Sequence, residues 1–320
     1  MIVVTGGAGF IGCALIHQLN DLGRNDIIVV DRCDDLKNNE NLNSINYDSF
    51  IDADEFLTKI DSLSGIQVIF HMGACSSTLE RNLDFLEKNN VQYTKDLWNF
   101  CRLKNIPYIY ASSAATYGDG ENGYDDDHQK IKNLKPLNPY GDSKQRFDEW
   151  ALSQEVTPDT WFGLKFFNVF GPWEYHKGEM RSVVHKAFGQ IKDVGLVRLF
   201  KSHRPDYNDG EQLRDFVYVK DVCQAMIIMW QDGKPNQSGI YNMGTGVARS
   251  FKDLVTATFN AMGVDPNIEY FDMPESIRGQ YQYFTQANMN KFRQEFSQMK
   301  FHPLEEAVLD YVKNHLIQEK

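Results

Sequence analysis

The stretch Met1-Ile2-Val3-Val4-Thr5-Gly6-Gly7-Ala8-Gly9-Phe10-Ile11-Gly12 decides the fold. A short apolar run breaks into glycines, and Ile11, Leu15 and Leu19 then recur at helical spacing, so the segment predicts strand, tight turn and helix. Gly6, Gly9 and Gly12 form a GxxGxxG pattern. Their missing Cβ atoms permit the turn and let backbone approach a pyrophosphate at the positive end of the helix. By itself such a turn is also an ordinary strand-to-helix connection. The next apolar run, Ile27 to Val30, ends in Asp31, 19 positions beyond Gly12. A carboxylate there meets the ribose of an adenosine in dinucleotide-binding folds. The two features together predict an α/β chain with a Rossmann-type doubly wound parallel sheet and a smaller interleaved α/β substrate lobe.

Composition sets the outer limits. The chain has 320 residues, 42% of them hydrophobic and 13% aromatic, enough for a large domain with an appended lobe. No apolar run reaches the roughly 18 residues of a membrane span. Net charge is −11, which argues against a nucleic-acid surface, because phosphate backbones need a basic field. The five cysteines, Cys13, Cys33, Cys75, Cys101 and Cys223, are scattered without a CxxC pair, so neither a disulfide framework nor a bound metal is expected. The chain opens on its first apolar strand without a basic leader segment, and the cytoplasm is the expected compartment.

Further strands are expected near Tyr47 to Phe50, at Gln67 to His71 and at Tyr108 to Ser113. The fourth runs into Met72-Gly73-Ala74-Cys75-Ser76, small residues that let a ligand approach backbone, and Asn90 on the following helix is a polar candidate for the same pocket. His71 reads as a packing residue more readily than as a base. The acidic run Asp125 to Asp127 reads as a solvated face. Arg32 and Lys37 are cations where a 2′-phosphate would sit, whereas Asp31 favours a free 2′-hydroxyl, so NADP and NAD both stay open. Pro139 opens a helix on which Tyr140 and Lys144, four apart, share a face. With Ser113 at the end of a strand, a hydroxyl, a phenol and an ammonium can converge beside a nicotinamide. A neighbouring lysine cation favours the phenolate, and Ser113 can hold a substrate oxygen while Tyr140 moves its proton. In the second half, Phe162 to Val169 reads as a strand and Ser250 with Asp253 as a helix N-cap. Leu304, Val308, Leu309, Val312 and Leu316 read as the core stripe of a last helix.

The glycine turn with Ser113, Tyr140 and Lys144 resembles the extended short-chain dehydrogenase/reductase superfamily. More narrowly, Gly73 to Thr78, Tyr110 to Gly118, Phe167 to Pro172, His176-Lys177-Gly178, Arg214 to Val219 and Tyr281 to Gln286 resemble the ADP-glyceromanno-heptose 6-epimerases. The resemblance implies an isomerase with bound NADP that inverts C6 of an ADP-heptose through a transient ketone, in supply of lipopolysaccharide inner-core heptose. It implies Ser113, Tyr140, Lys144 and Lys177 as catalytic residues. Cofactor contacts would come from Gly6, Gly9, Phe10, Ile11 and Gly12, from Asp31, Arg32 and Lys37, from Met72, Gly73, Ala74, Cys75 and Ser76, and from Asn90, Lys144, Val169 and Lys177. Substrate contacts would come from Ser113, Asn168, Glu179, Lys186, Phe200, His203, Arg214 and Tyr281. The expected partition is 1–167 plus about 215–240 for the dinucleotide domain, and about 168–214 plus 241–320 for the substrate lobe. A homo-oligomer is expected. Other nucleotide-sugar epimerases of the 4-epimerase type are the nearest alternative. A dehydratase would carry an Asp-Glu pair after the catalytic hydroxyl, where this chain has Ala114-Ala115. A nucleotide-binding redox sensor would have no use for the Ser/Tyr/Lys set. The segment Phe200 to Arg214 is longer than in some members, so contacts there transfer poorly.

Overall fold

The structure, a computed structural model, describes residues 1–32, 36, 39–278 and 281–318. Among them are twelve strands: β1 Ile2–Thr5, β2 Ile27–Asp31, β3 Ser49–Asp52, β4 Val68–His71, β5 Tyr108–Ser113, β6 Trp161–Phe166, β7 Asn168–Phe170, β8 Val197–Phe200, β9 Leu213–Tyr218, β10 Gly239–Met243, β11 Ala248–Ser250 and β12 Ile268–Phe271. Seven of them form one sheet in the order β10-β6-β5-β4-β1-β2-β3. Every pairing from β3 across to β6 is parallel. Residues of β1, β4 and β6 are buried along their whole lengths, as expected when helices cover both faces of a parallel sheet. The chain starts at β1, moves outward to β3, then returns to β4 on the other side of β1. That reversal opens a crevice at the C-terminal ends of β1 and β4, where open α/β sheets hold their ligands.

Behind β5 and β6 lies an aromatic core. Trp98, on the helix Tyr93–Lys104, meets Trp161 edge-on at 4.8 Å and Tyr108 and Phe147 at 6.1 Å. The indole nitrogen of Trp98 is buried without a hydrogen-bond partner.

The chain divides into two compact units. The first comprises 1–166, 223–242 and 290–299, and the second 167–222, 243–289 and 300–320. These limits differ from the expected partition in two places. Residues 215–222 belong to the second unit because β9 pairs with β7 and β11 there. Residues 290–299 belong to the first because Phe296 packs on Phe162 and Tyr241. The second unit also contains the parallel pair β8–β12, packed over Ala187, Ile191, Val255 and Phe259.

Local signals held in some places and failed in three. Ser250 and Asp253 make a reciprocal capping box at 2.9 and 3.2 Å. The apolar run expected from Phe162 to Val169 is two strands, β6 and β7, in different units. Asp126 is not on a solvated face: it is 2% exposed, and its carboxylate accepts the Asn242 amide at 2.8 Å. Leu309 is 48% exposed, while Leu304, Val308, Val312 and Leu316 are buried, because position 309 points about 100° away from the stripe through 304 and 308.

Truncating Trp98 to Ala should cost about 3–5 kcal/mol through the cavity it leaves in the aromatic core. Trp98→Phe keeps a ring and removes the unpaired N–H, so it should cost much less. Denaturant midpoints of the two variants measure the contrast, and equal losses would contradict it.

Candidate active site

The cofactor end is built on glycine contacts. Gly6 has φ +68°, and a Cβ there would stand 2.6 Å from the Gly73 nitrogen. A Cβ on Gly12 would overlap the Gly6 carbonyl oxygen. The Thr5 hydroxyl accepts the Gly73 amide at 3.1 Å and bonds His71 Nδ1 at 2.6 Å. Turn and β4 loop therefore meet backbone to backbone. Gly9 donates its amide to the Gly6 carbonyl at 3.0 Å and caps the helix Phe10–Asp21, of which Phe10 and Ile11 are the first two residues. Asp31 Oδ2 accepts the Ala8 amide at 2.9 Å, which ties the end of β2 to the glycine turn.

These elements border a cleft of about 260 Å³ between Thr5, Gly6, Asp31, Gly73, Ala74 and Cys75. Its shape fits an extended ligand that needs close backbone and one carboxylate. Arg32 borders it as well, with its guanidinium bidentate on Asp54 at 2.7–3.2 Å at the surface. Lys37 lies outside the described residues. Asn90 is buried and already engaged: its carbonyl oxygen accepts the Cys75 amide at 2.8 Å, and its amide donates to Cys75 O and to Ser143 Oγ at 3.0 Å. It staples the β4 loop instead of lining the cleft, where Asn89 stands. Ser76 is exposed, and Met72 bonds its amide to Thr5 O at 3.0 Å. His71, fully enclosed between Thr5 and Thr94 hydroxyls, has its pKa lowered by burial to about 3 and stays neutral.

Ser113, Tyr140 and Lys144 come together in the same unit. Asn138 caps the helix Pro139–Leu152 by accepting the Gly141 amide at 2.8 Å, and so sets Tyr140 in the first turn. The Ser113 side chain neighbours the Tyr140 phenol, closely enough to favour its ionised form slightly. Here the sequence expectation needs correction. Burial raises the phenol above its ordinary value and the neighbouring Ser113 offsets only part of that, so the phenol form is favoured. The Lys144 ammonium does not dominate, because it is itself buried and donates to Ala111 O at 2.8 Å. Desolvation lowers its own pKa to about 8.

In the second unit, Lys177 lies in the short helical segment Tyr175–Met180, whose chain turns at Gly178 with φ +52°. Desolvation lowers the Lys177 pKa, and Glu174 partly restores it. Asn168 is exposed at the start of β7, with Val169 half-buried beside it. A separate cavity of about 360 Å³ is bordered by Lys186, Arg198, Phe200, Phe251, Phe271 and Tyr281. Arg198 covers the Phe271 ring at 4.7 Å, and the buried Arg214 lies over the Tyr281 and Phe251 rings at 5.2 and 5.5 Å while donating to the Gln282 carbonyl. Flat rings beside cations suit a heteroaromatic group carrying phosphate. Two expected substrate residues stand differently. Glu179 is 97% exposed and pairs with Lys186 at 3.2 Å, and the His203 Nε2 is occupied by the Met273 amide at 3.2 Å. Phe251 and Phe271 were missed as candidates, and no local signal in the sequence points to them. Among the described residues, no group of three or more His, Cys, Asp or Glu is placed to hold a metal, and no helix is long and apolar enough to cross a membrane.

The Lys144 shift has a definite sign. Folded, Lys144 loses its proton near pH 8; unfolded, near 10.4, so the unfolded chain binds more protons between these values. Lys144 therefore makes stability rise with pH across that window, and its contribution is lost as pH falls through about 8. Unfolding free energy measured from pH 8 to 10 should climb more steeply in the wild type than in Lys144→Met; parallel curves would place the ammonium in solvent.

Comparison with known proteins places the chain in a family. Residues 2–244 match the model of the NAD dependent epimerase/dehydratase family. An ADP-L-glycero-D-manno-heptose-6-epimerase of Fusobacterium nucleatum is 50% identical over 100% of this chain and 99% of its own length. One from Nitratidesulfovibrio vulgaris is 48% identical over 99% and 98%. The crystal structure of the Helicobacter pylori ADP-L-glycero-D-manno-heptose-6-epimerase superposes with a TM-score of 0.83 at 30% identity, covering 99% of this chain and 96% of that one. The chain belongs to the NAD-dependent epimerase/dehydratase family.

Proposed function

We infer that the chain is an isomerase that inverts C6 of ADP-D-glycero-β-D-manno-heptose to the L-glycero form, supplying heptose for the lipopolysaccharide inner core. The observation that carries this is that Ser113 and Tyr140 neighbour each other, with Lys144 on the helix of Tyr140, in a chain about half identical to heptose-6-epimerases from end to end. A bound nicotinamide would supply the reversible hydride chemistry at C6. The glycine cradle and Asp31 would hold that cofactor, and Lys144 would anchor its ribose end. Ser113 holds the sugar oxygen, and Tyr140, kept as a neutral phenol by burial, shuttles the proton. The ketone must present opposite faces to one nicotinamide, so its oxygen takes two positions, and Lys177, with a pKa lowered by burial, serves the second as acid/base. The cavity at Phe200, Tyr281 and Lys186 suits the adenine and its phosphates. NADP is the proposed cofactor, with Arg32 as its 2′-phosphate ligand once it leaves Asp54. A cytoplasmic homo-oligomer completes the reading.

Purified protein without added cofactor should epimerise ADP-D-glycero-D-manno-heptose with no net change in nicotinamide absorbance. NMR of the product from deuterated water should find no solvent deuterium at C6; its incorporation there would rule out direct hydride return. Under the two-base scheme, Tyr140→Phe blocks transient cofactor reduction by one epimer and Lys177→Met blocks it by the other. Loss of both reactions in Tyr140→Phe alone would leave Lys177 as a phosphate ligand.

Cofactor choice is tested separately. Arg32→Ala should weaken NADP binding to the apoprotein well beyond NAD, because one charge-assisted hydrogen bond is worth roughly 1.5–3 kcal/mol. Equal loss for the two cofactors in a titration would place Arg32 away from the 2′-phosphate.

A further inference from the structure

Beneath Ser113, strand β5 rests on a buried polar network that the mechanism above does not use. Lys165 is the only charged residue of β6, and Asp148 lies on the helix Pro139–Leu152. Their side chains are both 0% exposed and form an ion pair at 2.7 Å. The Asp148 carboxylate also accepts the Ser112 hydroxyl at 2.6 Å and the Tyr110 hydroxyl at 3.0 Å. The Lys165 ammonium donates to Thr116 Oγ1 at 2.7 Å, and that hydroxyl in turn donates to the Ser113 carbonyl at 2.8 Å. Lys144, four residues before Asp148 on the same helix, donates to Ala111 O at 2.8 Å. Three consecutive residues of β5, Ala111, Ser112 and Ser113, are thus each tied by a side-chain hydrogen bond to this cluster or to Lys144.

Stability alone does not account for such a pair. Two ions lose their hydration on burial, and well-packed apolar residues of similar volume are often as stable or more so. What a charged pair supplies and an apolar pair does not is direction: each hydrogen bond fixes a distance and an angle, and here the fixed partners lead to Ser113. We propose that Asp148 and Lys165 are a positioning pair that acts through Ser112 and Thr116 to hold the end of β5, so that the Ser113 hydroxyl meets both Tyr140 and the substrate oxygen. The proposal rests on the reading that Ser113, Tyr140 and Lys144 carry the proton transfer.

The test uses the full-length enzyme with its bound cofactor. The double variant Asp148→Leu/Lys165→Met removes both charges together and leaves no orphaned ion. Its denaturant midpoint, its KM for the ADP-heptose and its cofactor affinity should stay near wild type while kcat falls at least roughly tenfold, as expected for a reacting group displaced by a fraction of an ångström. Thr116→Val removes the relay to Ser113 together with one acceptor of the Lys165 ammonium and should lower kcat severalfold at unchanged KM; Thr116→Ser restores the hydroxyl and should restore kcat. A folded double variant with wild-type kcat overturns the proposal, as does a Thr116→Val loss that Thr116→Ser shares. If the double variant does not fold, the Thr116 pair decides. Full activity in Tyr140→Phe is a different outcome, since it removes the underlying catalytic reading and leaves the network as a structural feature only.

Discussion

The backbone of Gly6 lies against the backbone of Gly73, and the dinucleotide end of the molecule follows from that contact. Two loops that leave neighbouring parallel strands approach this closely only where both lack a Cβ. Thr5 fixes the spacing by accepting the Gly73 amide, and Asp31 draws in the third loop through Ala8. The floor of the cleft is thereby rigid main chain. A ligand with a long, charged, flexible middle is held best by such a surface, because amides already pointing at it need no reordering.

Around Ser113 the physics is different. Burial disfavours the ionised forms of both Tyr140 and Lys144, raising the first and lowering the second. Without ligand, both side chains are biased toward neutrality. A substrate carrying its own diphosphate, or a cofactor carrying a positive ring, changes that balance when it arrives. The site's protonation is therefore a property of the complex more than of the chain alone, and a phenol held neutral is ready to donate.

Much of this was legible because it is local. The run of β-branched residues in β1 and β2, the three glycines, the Pro139 start and the Ser250 capping box each act within a few residues. The Ser/Tyr/Lys set was legible through spacing and order along the chain. What escaped depends on partners far away in sequence. Asp126 reads as one of three surface aspartates until Asn242 donates to it from 116 residues on. Lys165 lies within the run read as an apolar strand, and its partners Asp148 and Thr116 come from elsewhere in the chain. Arg32 reads as a free cation until Asp54 takes it, and Asn90 as a pocket residue until Cys75 and Ser143 saturate its amide. Burial and nonlocal pairing decide the behaviour of polar side chains, and neither has a local signature.

The division of the chain has a consequence for how the molecule comes into being. The first unit is assembled from three separate stretches, the last of them Asn290 to Met299, and the second also from three, ending at the C-terminus. On a ribosome the first 166 residues can collapse around β1 to β6, but the sheet gains β10 only after residue 239 and the Phe296 contact only near the end. Neither unit can be cut out as one continuous fragment. Until Gly239 to Met243 have been made, β6 remains an open edge that another chain could pair with.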